Sequence, residues 1–351
     1  MLCIEKTTGR ELWRRTLKRG RPRATRHAKA THANTSLSIA GQRIVAFLGS
    51  EGLYCYDLQG KLLWQKDLGV INISKYGIGW GFSSSPTVYG DRILIVCDDP
   101  EKPYVAALSL ADGRGIWRTS REGDCERSWG TPLVHVEKGI SQVVVNGWPW
   151  MVSYRLSDGQ EIWRIRGGGD NPVPTPFEAH GLIYLTNAHG GPSPILAVRP
   201  GASGDLTAET EQPSDQRNSS SIAWSIRRGG SYMSTPVVYG DQIYVGSAKG
   251  IIRSFDAHTG KQLFENRLGT RAGMIASLVA GDRKIYCASE NGTVYVLQHG
   301  PELKVLSENR MGEPCLATPA LSEGTLFIRT TRKLVAIRQA AGSAQDRAPT
   351  R

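Results

Sequence analysis

The chain has 351 residues, carries 43 Lys and Arg against 32 Asp and Glu for a net charge of +11, and is 40% hydrophobic, with 40 Gly, 9 Trp, 6 Phe and 6 Cys. This describes a globular chain rich in turns with apolar residues enough for a sizeable core, and excludes collagen-like and wholly disordered classes. No apolar run reaches the roughly 18 residues of a spanning helix, and the start, Met1 to Lys6, lacks the charged-then-apolar order of a secretory signal, so the chain as written is expected to be neither exported nor anchored.

Residues 2–13 read as a hairpin: apolar and polar positions alternate from Leu2, the chain turns at Gly9, and it runs into Trp13. Period-two alternation around a glycine turn marks paired strands. Arg14, Arg15, Lys18, Arg19, Arg21, Arg23, Arg26 and Lys29 follow within a short stretch. Such a run attracts anions, nucleic acid and acidic membranes included. With no aromatic interleaved and no nucleic-acid fold signature, it is read as a solvated loop, and no specific nucleic-acid partner is expected.

The hairpin recurs at Leu53–Trp64, turning at Asp57 and Gly60, at Val105–Trp117 with Asp112-Gly113, at Val152–Trp163 with Asp158-Gly159, and at Ile252–Phe264 with Asp256 and Gly260. Asp caps such turns with its carboxylate, and Gly takes the positive φ that other residues resist. Ahead of each hairpin lies a second signature, Ser85-Pro86 to Gly90-Asp91 in one copy and Thr235-Pro236 to Gly240-Asp241 in another, with Thr131-Pro132, Thr175-Pro176 and Thr318-Pro319 marking more, and Leu37 and Leu278 in place of proline in two. Four short strands per unit result. The aromatics Trp13, Trp64, Trp117, Trp163, Trp224 and Phe264 recur at intervals of 40 to 61 residues, the period of a β-propeller rather than a solenoid. They are expected to pack between neighbouring blades. The longest interval holds a polar, Pro/Gly-rich insert at about 200–221, expected to hold no single structure. Residues 339–351 read as a disordered tail, leaving 1–338 as a single propeller domain.

The start supplies the last two strands of a blade and Thr318–Arg338 supplies three without a closing aromatic, giving eight blade positions with the first incomplete; irregular closure into seven is the alternative. The natural protein is then expected either to begin upstream of Met1 or to close irregularly. The cysteines Cys3, Cys55, Cys97, Cys125, Cys287 and Cys315 stand singly. No CxxC pair points to zinc or redox chemistry, and those in strand-like runs read as small buried hydrophobes.

The hairpin Asp-x-x-(Thr)-Gly-Lys-x-Leu-Trp at 57–64 and its relative at 256–264, with Asn187–Gly201 and Gly300–Leu306, resemble the bacterial PQQ-like propeller-repeat proteins related to the outer-membrane assembly lipoprotein BamB, over nearly the whole chain. The resemblance implies an eight-bladed all-β propeller, an envelope location and protein partners.

Quinoprotein alcohol dehydrogenases, also similar in repeat, hold PQQ over a Trp, beneath two adjacent disulfide-linked cysteines and beside Ca²⁺. This chain has no Cys-Cys pair and no spacing that maps to those ligands, so PQQ is not the expected cofactor and no catalytic or metal residue is assigned. Asp98 and Asp99 read as a solvated turn rather than a Ca²⁺ site, which needs about 6 to 8 oxygen ligands. The histidines form no HExxH or His-x-His element. Trp80 and Trp129 lie just before inner-strand starts, near one mouth of the channel, either as stacking platforms or as blade packing. Trp148 and Trp150 flank a proline, where paired indoles suit an interaction patch or packing. The loop His189-Gly190-Gly191 allows close backbone approach by a ligand. The function expected is a monomeric, non-catalytic scaffold for protein partners in the cell envelope; a PQQ-dependent, other redox or hydrolytic enzyme with a channel-mouth site is the alternative.

Overall fold

The computed structural model describes residues 1–71, 79–121, 128–137, 139–211, 220–269 and 273–339. The fold is a β-propeller of PQQ-type blades: seven sheets preceded by a two-stranded hairpin, Leu2–Ile4 with Glu11–Arg14. The chain divides into two compact units, Met1–Arg228 and Gly229–Arg351. The first holds the hairpin and blades 1 to 4 (residues 38–66, 87–120, 133–166 and 177–226), the second blades 5 to 7 (residues 237–267, 279–310 and 320–338). The division falls between blades, as a repeat array permits.

Each complete blade is an antiparallel meander whose strands, called A to D, follow chain order. The leading hairpin corresponds to C and D alone, and blade 7 has three strands among the described residues. Opposite each D-strand aromatic stands a small residue of strand C: Cys3 pairs with Trp13, Cys55 with Trp64, Ala107 with Trp117, Ser153 with Trp163, Ala197 with Trp224 and Ser254 with Phe264. The ladder shifts register beside each of these pairs. A bulge adds twist and re-aims a side chain, and the small partner leaves the ring room to lean outward.

In the first unit the rings dock on the next hairpin. Trp13 donates Nε1–H to the Leu58 carbonyl at 3.1 Å, Trp64 to Leu110 at 3.1 Å and Trp117 to Leu156 at 3.0 Å. Each lies against the turn glycine of that hairpin: a Cβ on Gly113 would sit 2.8 Å from the Trp64 ring and one on Gly159 2.5 Å from Trp117. Both glycines also have φ near +75°, so the turn needs glycine twice over, for its backbone and for the indole upon it. A second link runs through the Ser/Thr-Pro signature. The Ser85 hydroxyl accepts from the Ser36 N–H at 2.9 Å and Thr131 Oγ1 from Ser85 N–H at 3.3 Å. In the second unit Ser277 Oγ accepts from Thr235 N–H at 2.9 Å and Thr318 Oγ1 from Ser277 N–H at 3.1 Å. Through Ser36, Ser85 and Thr131 in the first unit and Thr235, Ser277 and Thr318 in the second, the residue before the proline or its leucine replacement therefore ties the approach to strand A of one blade to that of its neighbour.

Trp163 departs from the pattern because the following hairpin carries the insert instead of an Asp-Gly turn. Its Nε1–H donates to Gln142 Oε1 at 3.0 Å, and Gln142 Nε2 donates to the Pro200 carbonyl at 3.1 Å. The insert, expected to be without structure, is ordered through residue 211. Gly204–Asp205 adds a parallel fifth strand beside Trp163 and Arg164, and Thr207–Glu211 forms a short helix capped by Asp205. Ala202 and Leu206 are buried against Trp163; two apolar contacts and a covered sheet edge outweigh the polar composition. The rest of the insert, 212–219, and residues 340–351 of the expected tail lie outside the described residues.

Cys55, Cys97, Cys287 and Cys315 are buried free thiols and Cys3 is half-buried; Cys125 lies outside the described residues. Burial pushes the Cys97 thiol up to about 12 and raises Cys55 and Cys287 as well. Since the thiolate is the reactive form, iodoacetamide at pH 8 should label Cys3 in the native protein and the four buried thiols only after denaturation. Native labelling of Cys97 in a peptide map would contradict this packing.

Candidate functional site

An A-to-D meander puts the B–C and D–A connections at one end of the strands and the A–B and C–D turns at the other. In the first unit this gathers most of the singled-out residues on one loop face. Trp80 and Trp129 sit on the D–A loops that follow blades 1 and 2, Trp148 on the B–C loop of blade 3 beside Trp150 at the start of strand C, and His189, Gly190 and Gly191 on the B–C loop of blade 4.

The basic run also belongs to this face and is docked rather than loose. Arg23 forms a two-pronged ion pair with Asp67, at 3.0 and 2.9 Å, and its backbone N–H donates to Glu51 Oε1 at 2.7 Å. Lys18 Nζ lies 4.0 Å from the other, buried Glu51 oxygen. The Arg23 hydrogen bonds hold the Asp67 carboxyl below the usual carboxylate range. His27 stacks on the Trp80 indole at 5.2 Å with the rings 13° from parallel, and its N–H donates to the Trp80 carbonyl. Gly79 is what lets the segment close in: a Cβ there would lie 1.3 Å from Thr25 Oγ1. Trp80 remains 38% exposed. Arg19 and Arg21 are exposed and have no acidic partner among the described residues.

Trp129 is half-buried against the core between blades 1 and 2 and stitches three loops. It donates Nε1–H to Gly81 O at 2.8 Å and its N–H to Pro172 O at 2.9 Å. Trp80 and Trp129 thus meet through the Gly81 segment, one outward and one inward. Trp148 precedes a cis proline and is half-buried. Trp150 has two guanidiniums over its ring, Arg164 at 4.7 Å and Arg166 at 5.6 Å, an arrangement of cation–π type. It lines a cavity of about 180 Å³ with Arg121, Tyr154 and Glu161.

His189 Nδ1 lies 2.5 Å from Asp170 Oδ1 and 2.7 Å from Asn171 Nδ2, with its side chain 41% exposed. The loop beneath is fixed from inside. Gly169 N–H donates to Asn187 Oδ1 at 2.7 Å, and Asn146 Nδ2 donates to the Pro174 and Thr186 carbonyls at 2.8 and 2.9 Å. Gly190 has φ +70° and faces Asp170, while a Cβ on Gly191 would meet open space. His189 and Gly190 are brought together with Asp170; Trp80 and Trp129 form a second group, Trp148 and Trp150 a third.

The turn reading of Asp98 fails. Asp98 and Arg121 are both buried and paired at 2.7 Å, and Arg121 Nη1 donates to the Tyr154 hydroxyl at 3.1 Å. Asp98 directly continues the buried strand Arg92–Cys97, the one local hint that its side chain turns inward. Desolvation lifts the Asp98 carboxyl above its ordinary range, with the Arg121 charge pulling it back.

The family model described as outer membrane protein assembly factor BamB matches residues 2–166, 179–300 and 215–349. The chain belongs to this family. BamB of Burkholderia pseudomallei (strain K96243) is 30% identical over 107 residues, 30% of this chain and 27% of that protein, and BamB of Yersinia pestis is 25% identical over 276 residues, 77% and 64% of the two chains. This BamB-family chain therefore spans less than two thirds of the length of either relative. Its fold is similar to the crystal structure of BamB from Moraxella catarrhalis, with a TM-score of 0.64 at 15% identity over 86% of this chain and 84% of that one. The computationally designed Ika8 protein is similar with a TM-score of 0.55 at 12% identity, over 91% and 100%. At such identities the likeness speaks to fold alone.

Proposed function

We propose that the chain is a non-catalytic scaffold of the bacterial cell envelope that binds protein partners through the loop face of its first unit, in the assembly of outer membrane proteins that its relatives' name describes. The observation that carries this reading is the exposed Trp80–His27 stack, whose His27 belongs to the same segment as the exposed Arg19 and Arg21, a segment pinned by Glu51 and Asp67. Tryptophan and arginine are among the residues that dominate binding energy at protein interfaces, and exposed cations on the segment that carries half of an aromatic platform suit an acidic, partly apolar polypeptide surface. Fold alone would not decide between binding and catalysis. No helix of the described residues is long and apolar enough to cross a membrane.

Quantitative affinity purification from detergent-solubilised envelopes tests the proposal. A variant carrying Arg19→Glu, Arg21→Glu and Trp80→Ala should retain its thermal midpoint and lose outer-membrane partners at least about tenfold, a 1.4 kcal/mol effect. Equal recovery with wild type would overturn the reading. Absence of PQQ chemistry is part of the same proposal, and it rests on cysteines that stand singly and have no adjacent partner in the sequence. Titration with PQQ and Ca²⁺ should leave the thermal midpoint unchanged, whereas a specific ligand at 100 times its dissociation constant would add about 2.7 kcal/mol. A calcium-dependent rise accompanied by dye-linked alcohol oxidation would favour the enzyme.

A further inference from the structure

The repeat is its own control, and at two positions blade 2 departs from the leading hairpin and from blades 1, 3, 4 and 5. Just before the small residue that faces the D-strand aromatic, strand C carries Leu2, Tyr54, Val152, Leu196 or Arg253 elsewhere, but Ala106 here. Two places before that aromatic, strand D carries Glu11, Leu62, Glu161, Ile222 or Gln262 elsewhere, but Gly115 here. Neither the backbone nor crowding demands this glycine: its φ lies outside the left-handed region, and an added Cβ would meet nothing within 4 Å. Both truncated positions line the same groove of about 340 Å³ on the outer side of blades 1 and 2, a volume within the range of small-molecule sites.

The groove has an apolar body, with Leu68, Ile116 and the floor of Ala106, and a cationic rim. Lys66 and Arg118 line it, and none of its lining residues is acidic among the described residues. Among the described residues neither Lys66 nor Arg118 has a carboxylate partner, and the Arg118 guanidinium lies over the Tyr104 ring at 3.7 Å. An apolar slot with unneutralised cations at its rim is complementary to one ligand chemistry, a carboxylate with a medium-length apolar tail. The tail would replace the two missing side chains, and the acid would take charge-assisted hydrogen bonds from Lys66 and Arg118. We propose that this groove is a binding site for such an apolar-tailed carboxylate. It is separate from the loop face and stands or falls independently of the scaffold reading.

Titration calorimetry with decanoate below its micelle concentration, and with decanol as the uncharged control, tests the site. Decanoate should bind one per chain and decanol at least about tenfold more weakly. Ala106→Tyr and Gly115→Leu, which restore the residues blade 1 carries at the same register, should abolish binding. Lys66→Gln with Arg118→Gln should cost decanoate about tenfold and leave decanol unchanged. These two rim substitutions remain decisive if a filling variant fails to fold. No heat with decanoate, equal affinity for decanol, or full binding by Gly115→Leu would each overturn the proposal.

Discussion

Trp163→Ala should lower the unfolding free energy by about 3 to 5 kcal/mol, the range for deleting a fully buried Trp or Phe side chain. Trp163 is the largest fully buried side chain among the described residues, and three losses coincide at it. The cavity would lie among Met151, Ile165, Ile183 and Leu206, on strands that pair in ladders and cannot easily collapse inward. Gln142 Oε1 would lose one of its two donors, keeping only Ser153 Oγ at 2.6 Å. The insert would lose the surface on which Ala202 and Leu206 are held. Urea denaturation followed by circular dichroism measures the loss, and limited proteolysis should show new cleavage within 200–211. A loss below about 1 kcal/mol would mean that the insert and Gln142, rather than the indole, hold blades 3 and 4 together. Trp117→Ala should cost less, since that ring is only half-buried.

Arg121→Met is expected to be as damaging at neutral pH, about 3 to 5 kcal/mol, because removing one partner of a buried ion pair strands the other's charge. The pH dependence gives it a signature. Burial already raises the Asp98 carboxyl in the folded state and the Arg121 charge opposes that rise, so the variant's Asp98 titrates higher still. An acid whose folded pKa lies above its unfolded value binds its proton more tightly when folded. The variant's deficit is therefore small below the unfolded value of about 4 and grows as pH rises through the folded pKa. Stability curves of variant and wild type should converge at acid pH and diverge toward neutrality. Adding Asp98→Asn to Arg121→Met should recover much of the loss at neutral pH. Parallel curves across the range would show that Asp98 carries no buried charge.

Blades were legible because their signals are local. The Asp57, Asp112, Asp158 and Asp256 carboxylates do bond the N–H groups of their own turns, at 2.8 to 3.1 Å, and the aromatic intervals follow from one ring in the leading hairpin and in each of blades 1 to 5. Contacts made across blades were harder to read. Asp98 resembles any loop acid until Arg121, 23 residues on, is placed beside it. The basic run contains no sign that Glu51 and Asp67 fold back upon it. The insert has turn-forming composition, yet Ala202 and Leu206 are four residues apart and flank the Asp205 cap of Thr207, a faint signal that tertiary burial amplified. The small residues opposite each aromatic were present in the sequence as Cys55, Ser153 and Ser254, and their meaning appears only once strands C and D are paired. The same pairing exposes Ala106 and Gly115 as exceptions.

Site-specific photo-crosslinking in living cells addresses the scaffold claim most directly. Benzoylphenylalanine would replace Trp80 on the loop face in one strain and Ala111, in the C–D turn at the opposite end of blade 2, in another. The account predicts a discrete adduct with an outer membrane assembly protein from position 80 and none from position 111. No adduct from position 80, or the same adducts from both, would contradict a partner-binding loop face.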